Sequence, residues 1–455
     1  MGHTDSQIVE TKLPWWRGLD RIHWFVFTVV VLGWVLDCFD QQIFNAARIP
    51  ALYKLLNTTD KDLVTLYGGY AMSIFLLGWA TGGLLFGVLG DKIGRAKTMA
   101  LTILLYSIFT GLSAFSKGFA DFAVYRFLTG LGVGGEFAVG VALLAETMPE
   151  RARPYALGML QALTTLGSIA AALVSMATGY LEQIGTIAPG WGWRVMFLVG
   201  ALPALLVIPI RLKLKDPERW KLAAAHADGT HRLGSLSELF SPALRRSAVV
   251  GLLLAAVGVV GLWGILYFML DLVRAVLHET FLKEGVDPAT IPGRLTTWVG
   301  ITIITMNVGG FFGLYSIGPL AQRIGRKPTF AISFTFTLLG TAAGFWFFRE
   351  RSQVFWLIPL MGACQFSLFA GYAIYLPELF PTRLRSTGVS FCYNAGRFLA
   401  ALGPLTLGVL TQQVYKDFGG HMPLRYAGLT MCSVFLLGLL VLPFAPETRG
   451  KPLPE

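Results

Sequence analysis

About twelve apolar runs, each roughly 20 residues long, follow one another through this chain. They lie near 24–46, 65–87, 98–115, 120–145, 155–180 and 192–210. After a polar stretch they resume near 247–273, 295–317, 328–348, 353–376, 387–413 and 424–444. A helix of that length crosses a ~30 Å hydrocarbon core. Backbone N–H and C=O groups cannot stay unpaired in lipid, so the runs are expected to be helices rather than isolated strands. The composition agrees: 54% hydrophobic against 14% charged, where a soluble domain is nearer a quarter charged.

The two halves of the chain echo each other. GVLGDKIGRAK, Gly87 to Lys97, returns as GPLAQRIGRK, Gly318 to Lys327, an offset of 231 from Gly87 to Gly318. ETMPERAR, Glu146 to Arg153, returns as ELFPTRLR, Glu378 to Arg385, an offset of 232 from Glu146 to Glu378. Two independent phrases at nearly one offset imply a duplicated half. In a hydrophobic chain this is the mark of a secondary transporter, with two similar bundles rocking around a central site. The expected fold is therefore all-α and integral to the membrane, with about twelve spans in two pseudo-symmetric six-helix bundles. The segments expected are 1–23 (cytoplasmic), 24–210 (first bundle), 211–246 (linker, with room for a short surface helix), 247–444 (second bundle) and 445–455 (an extended, proline-rich tail).

The net charge of +11 could suggest a nucleic-acid partner, but its placement argues otherwise. With a cytoplasmic N-terminus, the loops assigned inside hold 23 Lys/Arg and those assigned outside hold 12. That excess is the positive-inside pattern, and it places both termini in the cytoplasm of a cell inner or plasma membrane. Trp15, Trp16 and Trp24 suit the membrane interface. The four cysteines fall within apolar runs, too scattered for a zinc site or a disulfide framework.

Ionisable residues inside the runs carry the functional reading, since each costs at least about 2.5–3.5 kcal/mol at a helix centre. Asp37 and Asp40 in the first run share roughly one helix face. Two close carboxylates in low dielectric cannot both ionise cheaply, which suits a proton carrier; a structural pair is the alternative. Glu136 in the fourth run could carry the proton or balance a charge. Arg126 lies too far round and along that run to reach Glu136, and it could pair with Asp40 or Asp37. Arg397 in the eleventh run offers a fixed guanidinium fork matched to a substrate carboxylate, unless it is spent on a buried ion pair. Gln161 and Tyr393 occupy equivalent places in the two halves. With Asn307, Gln365 and Asn394 they are the expected neutral substrate contacts, and Trp263, Tyr267 and Tyr372 are candidate walls.

The repeated phrases have a mechanical reading. Gly87 lets helix ends approach closely. Asp91 can cap a helix or pair with a base, and Arg95 can reach acids on neighbouring helix ends. Glu146 with Arg153, and Glu378 with Arg385, are the expected partners, and Arg326 is the second copy of Arg95. Such pairs would hold one face shut.

The phrase GxxxDKxGRxK, with its weaker second copy, resembles the hallmark of the major facilitator superfamily, and the resemblance covers about Trp24 to Glu447. YRFLTGLGVGGE, LPELFPTRLRSTG and PETRGKPL are similar to its sugar-porter and metabolite–proton symporter branches. DCFDQ and NAGRFLAALGP look more like its carboxylate–proton symporters, among them aromatic-acid and sialic-acid carriers. One departure stands out: Gln322 occupies the place of an acid, so the second half is expected to lack that part of the lock. The resemblance implies proton-coupled uptake of a small organic anion by alternating access, in a monomer. A sugar or polyol symporter is the main alternative; an exporter or a non-transporting sensor is weaker. No nucleophile elbow, Walker loop or metal-ligand spacing occurs in the sequence, so no enzyme activity, metal or cofactor is expected.

Overall fold

The computed structural model describes residues 14–455 except 189, 208–209, 211–212, 227–231, 289–290, 401–405 and 408. Most of the expected N-terminal segment, the linker boundary at Arg211 and part of the eleventh run therefore lie outside the described residues, as does the side chain of Tyr267.

Apolar runs fold as helices because only a helix satisfies its own backbone in lipid. In chain order these are α1 Arg21–Leu55, α2 Lys61–Ile93, α3 Arg95–Ser113, α4 Phe119–Thr147, α5 Arg153–Gln183 and α6 Gly192–Val199. A short helix, α7 Glu218–Ala225, sits in the linker. The second half comprises α8 Arg245–Gly261, α9 Tyr267–Lys283, α10 Ile291–Ile324, α11 Arg326–Phe347, α12 Leu357–Glu378, α13 Arg385–Ala400, α14 Met422–Met431 and α15 Val434–Val441. A π-helical turn, Leu262–Leu266, joins α8 to α9 into one long span. Among the described residues ten spans are long and apolar enough to cross a membrane.

The helices run beyond the apolar runs. α1 starts at a capped end, where Asp20 Oδ1 accepts from the N–H groups of Ile22 (2.9 Å) and His23 (3.0 Å). It continues to Leu55, past the expected limit at 46, and carries Pro50 inside it. Hydrophobicity marks the lipid-crossing part, whereas helix formation continues through residues such as Ala46, Ala47 and Arg48 that favour it.

The repeated phrase, which lies between expected spans, is almost wholly helical. α2 runs through Ile93, Gly94 alone breaks it, and α3 starts at Arg95; Gly325 breaks α10 from α11 in the same way. Their φ angles of 105° and 99° lie where a side chain is strained. A Cβ on Gly94 would also lie 2.5 Å from Asp216 Oδ2, and one on Gly325 2.9 Å from Glu447 Oε2.

The two halves meet along small-residue seams. Gly83, Gly87 and Gly90 of α2 sit against Asn394, Ser390 and Ser386 of α13, so any Cβ there would collide. Gly158 of α5 meets Gly318 of α10. Between these seams a cavity remains at the centre.

Candidate functional site

The central cavity, about 160 Å³, is lined from both halves. Polar lining comes from Gln41 and Gln42 of α1, Gln161, Thr164 and Thr165 of α5, Asn307 of α10, and Tyr393 and Arg397 of α13. Trp34, Trp79, Trp263, Phe366 and Phe369 supply aromatic walls. Among the described lining residues Arg397 is the one cation, and there is no acid.

Arg397 is 6% exposed and held on three sides. Its Nε donates to Asn394 Oδ1 at 3.1 Å, and its guanidinium carbon lies 3.7 Å from the Trp79 ring centre and 4.8 Å from that of Tyr393. Tyr393 in turn stacks on Phe137, with centroids 4.0 Å apart. Cation–π contacts in a dry site fix the plane of the fork without neutralising it. Among the described residues no acid is in ion-pair range of Arg397, although Asp37 is an electrostatic neighbour.

Four of the six expected substrate residues line the cavity: Gln161, Asn307, Tyr393 and Arg397. Two do not. Asn394 is buried behind Arg397, where its amide donates to Ser390, so it positions rather than contacts. Gln365 donates to the Gly261 carbonyl at 3.1 Å, satisfying a backbone group freed where the π turn begins. Tyr372 also lies outside, its hydroxyl spent on the Leu254 carbonyl. Gln161 is already bonded at both ends, accepting from Trp34 Nε1 (2.6 Å) and donating to the Phe369 carbonyl (3.1 Å). Trp79 was missed by sequence reasoning, since a tryptophan in an apolar helix reads as packing. Its only signal is the arginine 318 residues away (Trp79 to Arg397).

The acids sit behind the cavity wall, inside the first bundle. Asp37, Asp40 and Glu136 are all buried, and none lines the cavity. Asp37 accepts a weak 3.4 Å bond from Gln41, and Asp40 accepts one from Thr110 Oγ1 at 2.7 Å. Both oxygens of Glu136 lack a hydrogen-bond partner among the described residues, and the carboxylate is pressed against Gly33 of α1. Asp37 lies in the electrostatic reach of Glu136, Asp40 and Arg397, and so links the acids to the cavity's cation.

Arg126 corrects an expectation, for it pairs directly with neither Asp40 nor Asp37. It donates to Ser113 Oγ (2.6 and 3.1 Å) and to the Phe109 carbonyl (3.3 Å), within a cage of Phe44, Phe122 and Phe197. Asp40 is its electrostatic neighbour only, because Thr110 holds that carboxylate instead.

At one end of the molecule the halves are bonded together. Arg95 meets Glu146 through two bonds (2.9 and 3.2 Å), Asp91 at 2.9 Å, and the Thr382 carbonyl of the other half at 2.7 Å. Arg385 crosses to Glu146 at 2.8 Å rather than pairing with Glu378 as expected. Asp91 accepts from Ser386 N (3.2 Å), Thr387 N (2.8 Å) and Thr387 Oγ1 (2.6 Å), so it caps α13 from the opposite bundle. Glu378 is taken by Arg326 (2.6 and 3.0 Å) within its own half. Arg153 finds the Ala145 carbonyl at 2.8 Å and has no ion pair among the described residues. Gln322 makes no bond to α5 among the described residues, so the cross-bundle bonds are concentrated on the Asp91 side.

Two elements of this end were not foreseen. The Glu447 carboxylate accepts from the backbone N–H groups of Arg326 (2.9 Å), Lys327, Thr448 and Arg449 (each 3.0 Å). Burial pushes Glu447 up, but these four donors outweigh it and hold the acid below its usual range. The tail also docks: the Pro454 carbonyl accepts from Arg385 at 2.7 Å and from Thr382 N at 3.2 Å, and Leu453 is buried.

Known proteins match the chain along most of its length. A family model described as "Sugar (and other) transporter" matches residues 26–246, and one described as "Major Facilitator Superfamily" matches residues 295–455. The "Probable 4-methylmuconolactone transporter" of Cupriavidus pinatubonensis is 30% identical, over 92% of this chain and 89% of its own length. The "Cis,cis-muconate transport protein" of Acinetobacter baylyi is 28% identical, over 92% and 95%. Among solved structures, the proton:xylose symporter XylE bound to 6-bromo-6-deoxy-D-glucose superposes with a TM-score of 0.71 at 19% identity, over 95% of this chain and 97% of that one.

Proposed function

Because the chain belongs to the major facilitator superfamily, as a transporter resembling its metabolite–proton symporters, we propose that it carries a small organic carboxylate together with a proton by alternating access. One observation carries the choice of substrate charge: among the described residues the cavity is lined by a single cation and no acid. A carboxylate on Arg397 would gain a two-pronged, charge-assisted bond in a low-dielectric site. The indole and phenyl walls suit a flat, unsaturated skeleton. The relatives named for muconate and 4-methylmuconolactone support the same class.

The coupling proton is assigned to Asp37, Asp40 and Glu136. An ionised carboxylate at Glu136 has nothing to offset its desolvation, so gaining a proton relieves a cost that losing one restores. Asp37 would transmit that charge change to Arg397 and so tie proton occupancy to anion binding. The bonded end, rich in Lys and Arg, is assigned to the cytoplasm. There the Arg95–Glu146–Arg385 cluster and the Asp91 cap would hold the carrier closed until substrate and proton are both loaded.

A neutral sugar fits less well. Gln365 lies outside the cavity, and Gln161 is already bonded at both ends, so two of the amides expected to hold sugar hydroxyls are engaged elsewhere. The test is ligand quenching of tryptophan fluorescence, to which Trp34, Trp79 and Trp263 of the cavity contribute among the chain's twelve tryptophans. Nicotinate, benzoate and muconate should include a ligand that saturates the signal in wild type and fails to in Arg397→Gln. Saturation by arabinose or xylose instead would transfer the site to the neutral groups.

A further inference from the structure

A second cavity, about 300 Å³, lies at the end of the molecule opposite the bonded face. It is formed where α9, the end of α11 and the start of α14 converge, and its lining includes Glu279, Lys283, Trp346, Arg349, His421 and Arg425. Three fixed cations thus face one carboxylate, a formal surplus of two positive charges before His421 is counted.

The one acid among the described lining residues is already in use. Glu279 accepts from Lys283 Nζ at 2.8 Å and lies 3.4 Å from His421 Nδ1. Arg349 has no acidic partner among the described residues. Arg425, 3% exposed, donates to the carbonyls of Phe345 (2.7 Å), Trp346 (2.9 Å) and Phe348, which close the end of α11. Carbonyl dipoles hold the guanidinium in place but bring no net negative charge. No side chain caps the start of α14, where the Met422 N–H bonds the Gly419 carbonyl at 3.3 Å and Pro423 has no N–H to offer. His421 registers the imbalance: burial, then the charges of Arg425 and Lys283, hold its imidazole below the ordinary range despite Glu279.

We propose that this cavity is an oxyanion site, separate from the transport cavity, that takes a phosphate group. Two guanidinium forks, of Arg349 and Arg425, and the Lys283 ammonium converging on one space are the chemistry that binds phosphate. The exposed Trp346 and Phe347 at its rim would lie at the headgroup level of a bilayer, so the phosphate can come from solution or from an anionic lipid.

The experiment follows thermal unfolding of the purified full chain in neutral detergent. It is titrated with inorganic phosphate in one arm and with phosphatidylglycerol in the other, against potassium chloride at matched ionic strength. Wild type should be stabilised in one arm, and that arm names the source. Lys283→Gln/Arg349→Gln should weaken the effect about tenfold or more, through loss of two charge-assisted contacts. Glu279→Gln keeps every cation and removes the competing acid, so it should bind more tightly than wild type; this serves even if the double variant folds poorly. No stabilisation beyond chloride in either arm would overturn the site. So would equal stabilisation of the double variant, or unchanged affinity in Glu279→Gln.

Discussion

Asp216 and Glu447, 231 residues apart, perform the same act in the two halves. Asp216 Oδ1 accepts from Ala96 N at 2.8 Å at the start of α3, and Glu447 accepts from Arg326 N and Lys327 N at the start of α11. That offset equals the separation of Gly94 from Gly325, the left-handed glycines beside which the carboxylates sit. Each half therefore closes one sharp helix junction with an acid supplied from just beyond its last span, the linker in one case and the tail in the other.

The junctions should be intolerant of any side chain. Gly94→Ala or Gly325→Ala should cost about 1–2 kcal/mol from the left-handed backbone alone, with displacement of the capping carboxylate in addition. Thermal unfolding of the purified variants measures it. Midpoints equal to wild type would mean that neither glycine is needed where it stands.

Glu447 gives that junction a pH dependence. Its folded-state affinity for protons is depressed, so the stability it contributes is fully present above its unfolded value near 4.5 and is lost as pH falls through the lower folded value. The deficit of Glu447→Gln in thermal stability should thus be constant from pH 8 to about 5.5 and shrink below about 4.5. A deficit unchanged at pH 3.5 would show that the charge is not what stabilises.

The bonded end should open when its shared acid is removed. Glu146→Gln leaves Arg385 buried without a paired carboxylate and Arg95 with Asp91 alone, a loss of about 3–5 kcal/mol for a broken buried pair. Spin labels at exposed Lys97 and Arg323, one in each half, should report a longer distance and a shifted population. An unchanged distance distribution would remove Glu146 from the lock.

Arg397 should be irreplaceable by lysine. Arg397→Gln should weaken the apparent affinity for an anionic substrate roughly 10- to 100-fold, the worth of one charge-assisted contact. Arg397→Lys should recover little of it, because an ammonium cannot lie flat between Trp79 and Tyr393. Full recovery by lysine would make the charge sufficient and the stacking incidental.

What the sequence revealed and what it hid follow one physical line. Apolar runs of spanning length and a repeated phrase are local signals, and they led to the helices, the duplication, and Arg397, Gln161, Asn307 and Tyr393 around one cavity. Pairings between distant segments leave no local trace. Arg385 could meet Glu378 or Glu146 by any reading of spacing, and only the packing of α13 against α2 decides for Glu146. Arg126 seemed to need an acid, yet three phenyl rings and the Ser113 hydroxyl accommodate it. Gln365 and Asn394 are polar residues in mid-membrane that serve the protein's own backbone and side chains, which their identity alone does not disclose.

The proton assignment is tested by separating exchange from accumulation. Asp37→Asn and Glu136→Gln should each keep substrate exchange across a vesicle membrane while losing most uphill, pH-driven uptake. Variants that retain full uphill uptake would clear the acid in question of carrying the proton.

The measurement closest to the proposed activity is uptake by wild-type protein in proteoliposomes, with labelled benzoate, nicotinate, muconate, arabinose and xylose offered with and without an inward proton gradient. The result expected is accumulation of an acid, dependent on the gradient and lost in Arg397→Gln. Accumulation of a sugar with no acid transported, or acid uptake indifferent to the gradient, would contradict proton-coupled carboxylate symport.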